Sequence, residues 1–140
     1  MKLQPRHDLT PDEIDALEDR LYGHNRAATG RDDAAGMGFV IHGDAGELTA
    51  ATAGYSWGGI AEIKQMWVAD AFRGQGLGRA LLDAMIGEAQ RRGDKRIWVA
   101  SYDFQAPGFY ERAGFVRRAE FEGWPEGHVN VILCKTLREG

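Results

Sequence analysis

The residues in this chain best placed to hold a charged ligand form a glycine turn, Arg73-Gly74-Gln75-Gly76-Leu77-Gly78, with Arg79 behind it. Glycine lets backbone N–H groups approach a bulky anion and takes φ angles that other residues avoid. A helix N-terminus adds unpaired N–H groups and the positive end of a dipole. Leu77, Ala80, Leu81, Ala84, Met85 and Ala89 recur at helical spacing from the turn onward, and Ala61 to Val68 reads as a strand before it. Strand, turn and helix together suggest a phosphate cradle. Two common versions fail by inspection. A Walker loop ends in Gly-Lys-Ser/Thr, whereas this turn continues Gly78-Arg79-Ala80. A dinucleotide fingerprint starting at Gly74 needs glycine where Arg79 stands.

The elements that must position this turn can be read outward from it. Thr10-Pro11-Asp12-Glu13 is a helix start with a capping box, and Ile14, Leu17, Leu21 and Tyr22 carry an apolar face, so a helix is expected over about 11–23. Residues 23–36 read as a loop. Strands are expected over 38–42, 47–57 and 60–68, joined by Gly43-Asp44-Ala45-Gly46 and by a tight Gly58-Gly59 hairpin. A helix over 76–92 should end at Gly93, followed by a strand over 96–101. Asp103 is expected to cap a further helix that carries Pro107 near its start and stops at Gly114; strands over 115–121 and 129–137 complete the chain. Cys134, within Val131-Ile132-Leu133-Cys134, is expected in the core.

Composition bounds the rest. With 140 residues, 44% hydrophobic and 27% charged, the chain fits a single globular domain, 1–140, and argues against disorder. No apolar run approaches the roughly 18–20 residues of a membrane span, and the first residues lack the apolar centre of a signal peptide. One cysteine makes no internal disulfide, so a cytoplasmic protein with no membrane partner is expected. A net charge of −4, with no dense basic cluster outside the interrupted run Arg91-Arg92-Gly93-Asp94-Lys95-Arg96 at a helix end, argues against nucleic acid. The four histidines show no metal-ligand spacing, so no metal is expected.

A second block gives the turn a context. Arg-x-x-Gly-x-Gly after a strand resembles the acyl-CoA loop of the GNAT superfamily of N-acetyltransferases. Asp103-Phe104-Gln105-Ala106-Pro107-Gly108-Phe109-Tyr110-Glu111-Arg112-Ala113-Gly114-Phe115 resembles that superfamily's Asn-x-x-Ala-x-x-Leu/Phe-Tyr-x-x-x-Gly-Phe segment. The two stand in the family's order, and the resemblance spans about residues 37–137. It implies an α/β (α+β) fold with a mixed, mostly antiparallel central sheet of about six or seven strands flanked by three to four helices. It also implies acetyl-CoA as cosubstrate, no metal, and direct transfer of the acetyl group to a primary amine in a ternary complex. The acceptor would be a small-molecule amine or a peptide. A non-catalytic acyl-CoA sensor with the same cradle is the alternative from another class. Family members often dimerise, so a homodimer is compatible with the resemblance.

The resemblance also assigns roles. Gly74, Gln75, Gly76, Leu77 and Gly78 would hold the pyrophosphate, with Arg73 and Arg79 adding charge. Backbone amides near Met66, Trp67 and Val68 would polarise the thioester. Glu62, within Ala61-Glu62-Ile63, resembles the general base of the histone-acetylating branch; its alternative is a surface carboxylate paired with Lys64. Tyr110 matches the family's general acid, and a phenol's ordinary pKa lies near that of a departing thiol; its alternative is packing between helix and sheet. Asp103 departs from the family's asparagine, and an ionised carboxylate cannot donate to the pantetheine arm; Asp103 is read as a helix cap, with Gln105 as a candidate donor in its place. A looser acceptor set comprises Trp57, Trp124, His128 and Asn130, with His24 and Asn25 on the wall that the family builds from residues after its first helix.

Overall fold

The computed structural model describes residues 1–138, in two compact units, Met1–Asp32 and the chain from Asp33 onward. The first unit is helix α1, Pro11–Thr29. Its start is as the sequence indicates: the Glu13 N–H donates to Thr10 Oγ1 at 3.2 Å, and the Thr10 N–H donates to the Glu13 carboxylate at 3.1 Å. Its end is not. The helix runs through Gly23 to Gly30, whose left-handed backbone (φ 71°) lets its N–H close on the Arg26 carbonyl at 2.8 Å. One mid-helix glycine costs only about 1 kcal/mol, which the rest of the helix absorbs. No residue of α1 is buried, and Ile14, Leu17 and Leu21 are exposed.

The second unit is a six-stranded sheet in the order β1-β2-β3-β4-β6-β5. The strands are β1 (Ala35–His42), β2 (Leu48–Trp57), β3 (Ile60–Val68), β4 (Arg96–Tyr102), β5 (Val116–Glu122) and β6 (Val129–Thr136). Only β3 and β4 pair in parallel, across α2 (Leu77–Arg91); the other neighbours are antiparallel. A 3₁₀ turn, Asp70–Phe72, links β3 to the glycine turn, and α3 (Pro107–Arg112) lies between β4 and β5. Fold class and element order follow the sequence reading, while β1 begins at Ala35, three residues early. No helix among the described residues is long and apolar enough to cross a membrane.

The core lies on one face of the sheet. α2 buries Leu82, Met85 and Ala89 against Ala61 and Ile63 of β3, Ile97 and Val99 of β4, and Val131 and Leu133 of β6, and Leu81 is buried as well. At its far end Glu88 is held by Arg91 and Arg92, whose guanidinium groups keep its carboxyl down at about 2. Arg92 also donates to the carbonyls of Ala35 and Gly36 and to Ser56 Oγ, which ties the helix end to β1 and β2. Cys134 is only half-buried, because it alternates with core-facing Leu133 and stands beside Trp98 on the other face.

One irregularity matters for function. Between β2 and β3 the register slips at Gly54: Ala53 pairs with Gln65 and Gly54 with Ile63, so Lys64 is an extra residue, a β-bulge. A Cβ on Gly54 would sit 1.9 Å from the Glu62 carbonyl oxygen. Only glycine lets the strands approach so closely here.

Candidate active site

The parallel pairing of β3 with β4 is short. It begins at Ile60 with Arg96 and ends at Ile63 with Val99. The bulge then turns β3 aside, while β4 carries on pairing with β6 through Tyr102 and Asn130. From Lys64 to Val68, β3 keeps β2 on one side and has no ladder to β4 on the other. The strands part like the arms of a V, and peptide groups on the inner edges are freed from the sheet.

A cleft of about 770 Å³ fills the V, a size suited to a whole small-molecule ligand. Met66, Trp67 and Val68 line it from β3. Gly74, Gly76, Leu77 and Gly78 close its end, and Arg73 and Arg79 stand at the rim. Gln105 and Tyr110 line it from the segment after β4. The structure thus brings together nearly all the residues expected at the cofactor. Among them, Gln75 is not part of the lining.

The local chemistry of the cleft follows from the backbone. α2 begins at Leu77 with Gly76 as its N-cap in the left-handed region (φ 80°), and no side chain caps it. The first amides of a helix have no partner within it, so this end offers N–H donors with the dipole behind them. Arg73 lies 3.3 Å from Asp70 and Arg79 2.9 Å from Asp83, which holds both guanidinium groups near the mouth. The Gln105 carboxamide oxygen accepts from the Tyr102 N–H at 2.8 Å, leaving its NH₂ as the end that can donate to a ligand. Tyr110 is 5% exposed and packs edge-on to Phe109 and Phe115. Burial pushes its phenol up to about 12, so it stays protonated at neutral pH.

Glu62 does not line this cleft. Side chains alternate along a strand, and Glu62 points away from core-facing Ala61 and Ile63. It lines a second hollow, of about 230 Å³, with Tyr55, Trp57, Gly58, Ile60 and Trp98. The two hollows flank the end of the β3–β4 pairing from opposite faces, since Ile63 and Val99 line the cleft and their neighbours Glu62 and Trp98 line the hollow. Of the looser set, Trp57 alone borders this hollow.

The remaining residues lie elsewhere. Asp103 caps no helix: α3 starts at Pro107 with Ala106 as its N-cap. The Asp103 carboxylate instead stands 3.0 Å from Nδ1 of His128, and its N–H donates to the Val129 carbonyl. The cap fails because the chain needs four further residues to turn from β4 into α3, which puts Asp103 out of reach of the first turn. His128 packs edge-on to Phe104, and Trp124 packs edge-on to Tyr102 and Phe121, an aromatic cluster at the β5–β6 end of the sheet. Asn130 is buried, with its Oδ1 unpartnered. His24 and Asn25 are exposed on α1 in the first unit. Sequence reasoning missed Gly54, Tyr55, Trp98, Ser101 and Phe109. Phe109 carried a signal, as an apolar residue beside Tyr110; Tyr55 and Trp98 needed the register to be known.

Comparison with known proteins agrees with this geometry. The family model described as acetyltransferase (GNAT) family matches residues 4–115. Blasticidin-S acetyltransferase of Streptomyces morookaense is 33% identical over 96 residues, covering 68% of this chain and 71% of that protein. An acetyltransferase of Bacillus cereus superposes with a TM-score of 0.80 over 96% of this chain and 98% of its own, at 23% identity. A Bacillus anthracis protein crystallised in complex with acetyl coenzyme A superposes with a TM-score of 0.65 over 74% of this chain and 63% of its own, at 17% identity.

Proposed function

The chain belongs to the acetyltransferase (GNAT) family, and from that premise we propose that it acetylates a small-molecule primary amine by direct attack on acetyl-CoA in a ternary complex. That it is an N-acetyltransferase follows from the family. The acceptor class and the roles of individual residues are our reading. The observation that carries it is the parting of β3 and β4 beyond Ile63 and Val99, beside the uncapped N-terminus of α2. A backbone edge freed of its ladder and a helix end rich in donors suit one long ligand that ends in anionic phosphates and begins in a carbonyl. The two units act as one acetyltransferase domain, 1–140, a reading supported by a family match that runs through Asp32. The single cysteine supports a cytoplasmic setting.

The residues present fit acetyl-CoA. The amides at Leu77 and Gly78 and the guanidinium groups of Arg73 and Arg79 would hold its pyrophosphate, and Gln105 would donate to the pantetheine arm. The inner edge of β3 at Met66, Trp67 and Val68 would donate to the thioester oxygen as negative charge develops there. Glu62 takes a proton from the acceptor ammonium, directly or through a water, and the freed amine attacks the carbonyl carbon. A C–N bond would form and the C–S bond break, and the second proton, shed by the nitrogen as it becomes an amide, would pass to the thiolate leaving beside Tyr110. With its phenol at about 12, Tyr110 is a weaker acid than a thiol, so it stabilises the departing sulfur chiefly as a hydrogen-bond donor.

Glu62→Gln tests the base. Thiol release with the preferred amine should fall roughly 10²–10⁴-fold in kcat, with acetyl-CoA affinity by calorimetry unchanged. Activity surviving in this variant would remove Glu62 from the mechanism. The acceptor is tested by a panel of polyamines, aminoglycosides, amino acids and peptides. Turnover confined to peptides would overturn the small-amine reading, and binding without turnover on any amine would favour a sensor.

A further inference from the structure

We propose that the hollow bordered by Tyr55, Trp57, Glu62 and Trp98 is a binding site for a small organic ammonium ion, and that it selects the acceptor. The inference rests on the acetyltransferase reading and adds to it the class of amine. Tyr55, Glu62 and Trp98 stand directly opposite one another across three adjacent strands. Neighbouring strands lie about 4.8 Å apart, so two rings flank one carboxylate at close range. Trp57 supplies a third ring to the same hollow.

The chemistry of such a wall is selective. An anion is repelled by Glu62. A neutral apolar ligand would strip water from the carboxylate and give nothing back. A cation answers both the carboxylate and the negative faces of the rings. The chain already shows that one of these rings accepts a cation: Nζ of Lys64 lies 5.1 Å from the centre of the Tyr55 ring. Lys64 is the bulge residue and is exposed, so its flexible stem can yield that position to a ligand. The volume, about 230 Å³, falls below the usual range for drug-sized ligands. It takes a compact amine or the cationic end of a longer one. Because the hollow backs onto the cleft at Ile63 and Val99, an ammonium held beside Glu62 stands at the base of the V.

The test uses choline, which carries the charge but no acylatable nitrogen, against 3,3-dimethylbutan-1-ol, its uncharged counterpart of like shape. Calorimetric titration into the full chain should show choline binding at least about 10-fold more tightly than the alcohol. Trp98→Leu, Tyr55→Leu and Glu62→Gln should each weaken choline several-fold, and Lys64→Met should strengthen it. Acetyl-CoA affinity should be unchanged in the first three. In turnover, choline should raise KM for the amine and leave KM for acetyl-CoA alone. Equal binding of the two probes, no measurable choline binding, or choline binding indifferent to both Tyr55→Leu and Glu62→Gln would overturn the assignment. Should Trp98→Leu fail to fold, exposed Tyr55 gives the same readout. Acetylation of amines without any choline competition would sink the hollow and leave the acetyltransferase standing; failure to bind acetyl-CoA would instead sink the reading beneath it.

Discussion

The cleft and the hollow lie on opposite faces of the same pair of strands, and they are made of different material. The cleft draws its central donors from backbone, namely the freed edge of β3, a left-handed glycine turn and the first amides of α2. The hollow is built from side chains, three aromatic rings and a carboxylate held in register by β2, β3 and β4. A surface made of peptide groups suits a ligand that is the same in every turnover. A surface made of side chains can change with one substitution and suits the ligand that distinguishes one enzyme from its relatives. The bulge at Lys64 serves both, since it opens the V on one side and sets the end of the paired stretch that carries Glu62 on the other.

Substitutions at that shared wall should have the largest effect. Gly54→Ala drives a Cβ against the Glu62 carbonyl, and relieving the clash means moving β3. A loss of about 3–5 kcal/mol is expected, seen as a fall in Tm of roughly 10 °C or more. Choline and acetyl-CoA binding should both be lost, even at temperatures where the fold survives. Retention of either at wild-type affinity would show that the two regions do not depend on the bulge in common.

The glycine turn allows a sharper cut confined to the cleft. Gly76→Ala places a side chain at φ 80°, a strain of about 1–2 kcal/mol, and should loosen the turn enough to weaken acetyl-CoA about 10-fold. Gly78→Ala puts its Cβ at an ordinary 3.6 Å from Phe109 and should leave stability unchanged, or raise it by up to about 1 kcal/mol through helix propensity. Neither should alter choline binding. Equal melting temperatures for the two variants would contradict the left-handed geometry.

Tyr110 belongs to the cleft and leaves a signature in pH. Burial raises its phenol from the ordinary value near 10 to about 12. The unfolded chain therefore gives up this proton before the native one does. The associated stability is complete below pH 10 and is lost as pH climbs to about 12, a difference of about 2–3 kcal/mol. Denaturant midpoints across that window should fall more steeply in the wild type than in Tyr110→Phe. The same variant should lower kcat by roughly 10-fold or more without touching choline affinity. Parallel alkaline curves would mean that the phenol is better solvated than its packing implies.

The smallest effect should come from a pair outside both regions. Asp103 and His128 are joined on the exposed β5–β6 side of the sheet, each close to half exposed. Asp103→Asn should change stability by less than about 0.5 kcal/mol and turnover by less than about threefold. A larger loss of turnover would extend the acceptor region from the hollow to the aromatic cluster around Trp124.

What could be read from the chain alone was whatever is encoded by neighbours. The capping box of Thr10 and Glu13, the glycine turn at 73–79, the amphipathic stripe of α2 and the segment around Tyr110 are each contiguous, and each was legible as the local chemistry that it is. From them came the fold class and most of the cleft, because a strand, a turn and a helix N-terminus form a donor site within about twenty residues. The errors were also local. The first helix was expected to end near residue 23, where its apolar face gives out, and Asp103 looked like a cap because a carboxylate precedes a helix; neither inference could weigh the chain's alternatives, a left-handed stop at Gly30 and a histidine 25 positions away. What only the tertiary structure decided was the register. It put Tyr55 and Trp98 on either side of Glu62, turned that carboxylate to the face away from Tyr110, and made Gly54 indispensable. Strand pairing joins residues dozens of positions apart, and a slip of one residue would reverse every side chain on a face. That choice is made by packing over the whole sheet, and no short stretch of sequence carries it.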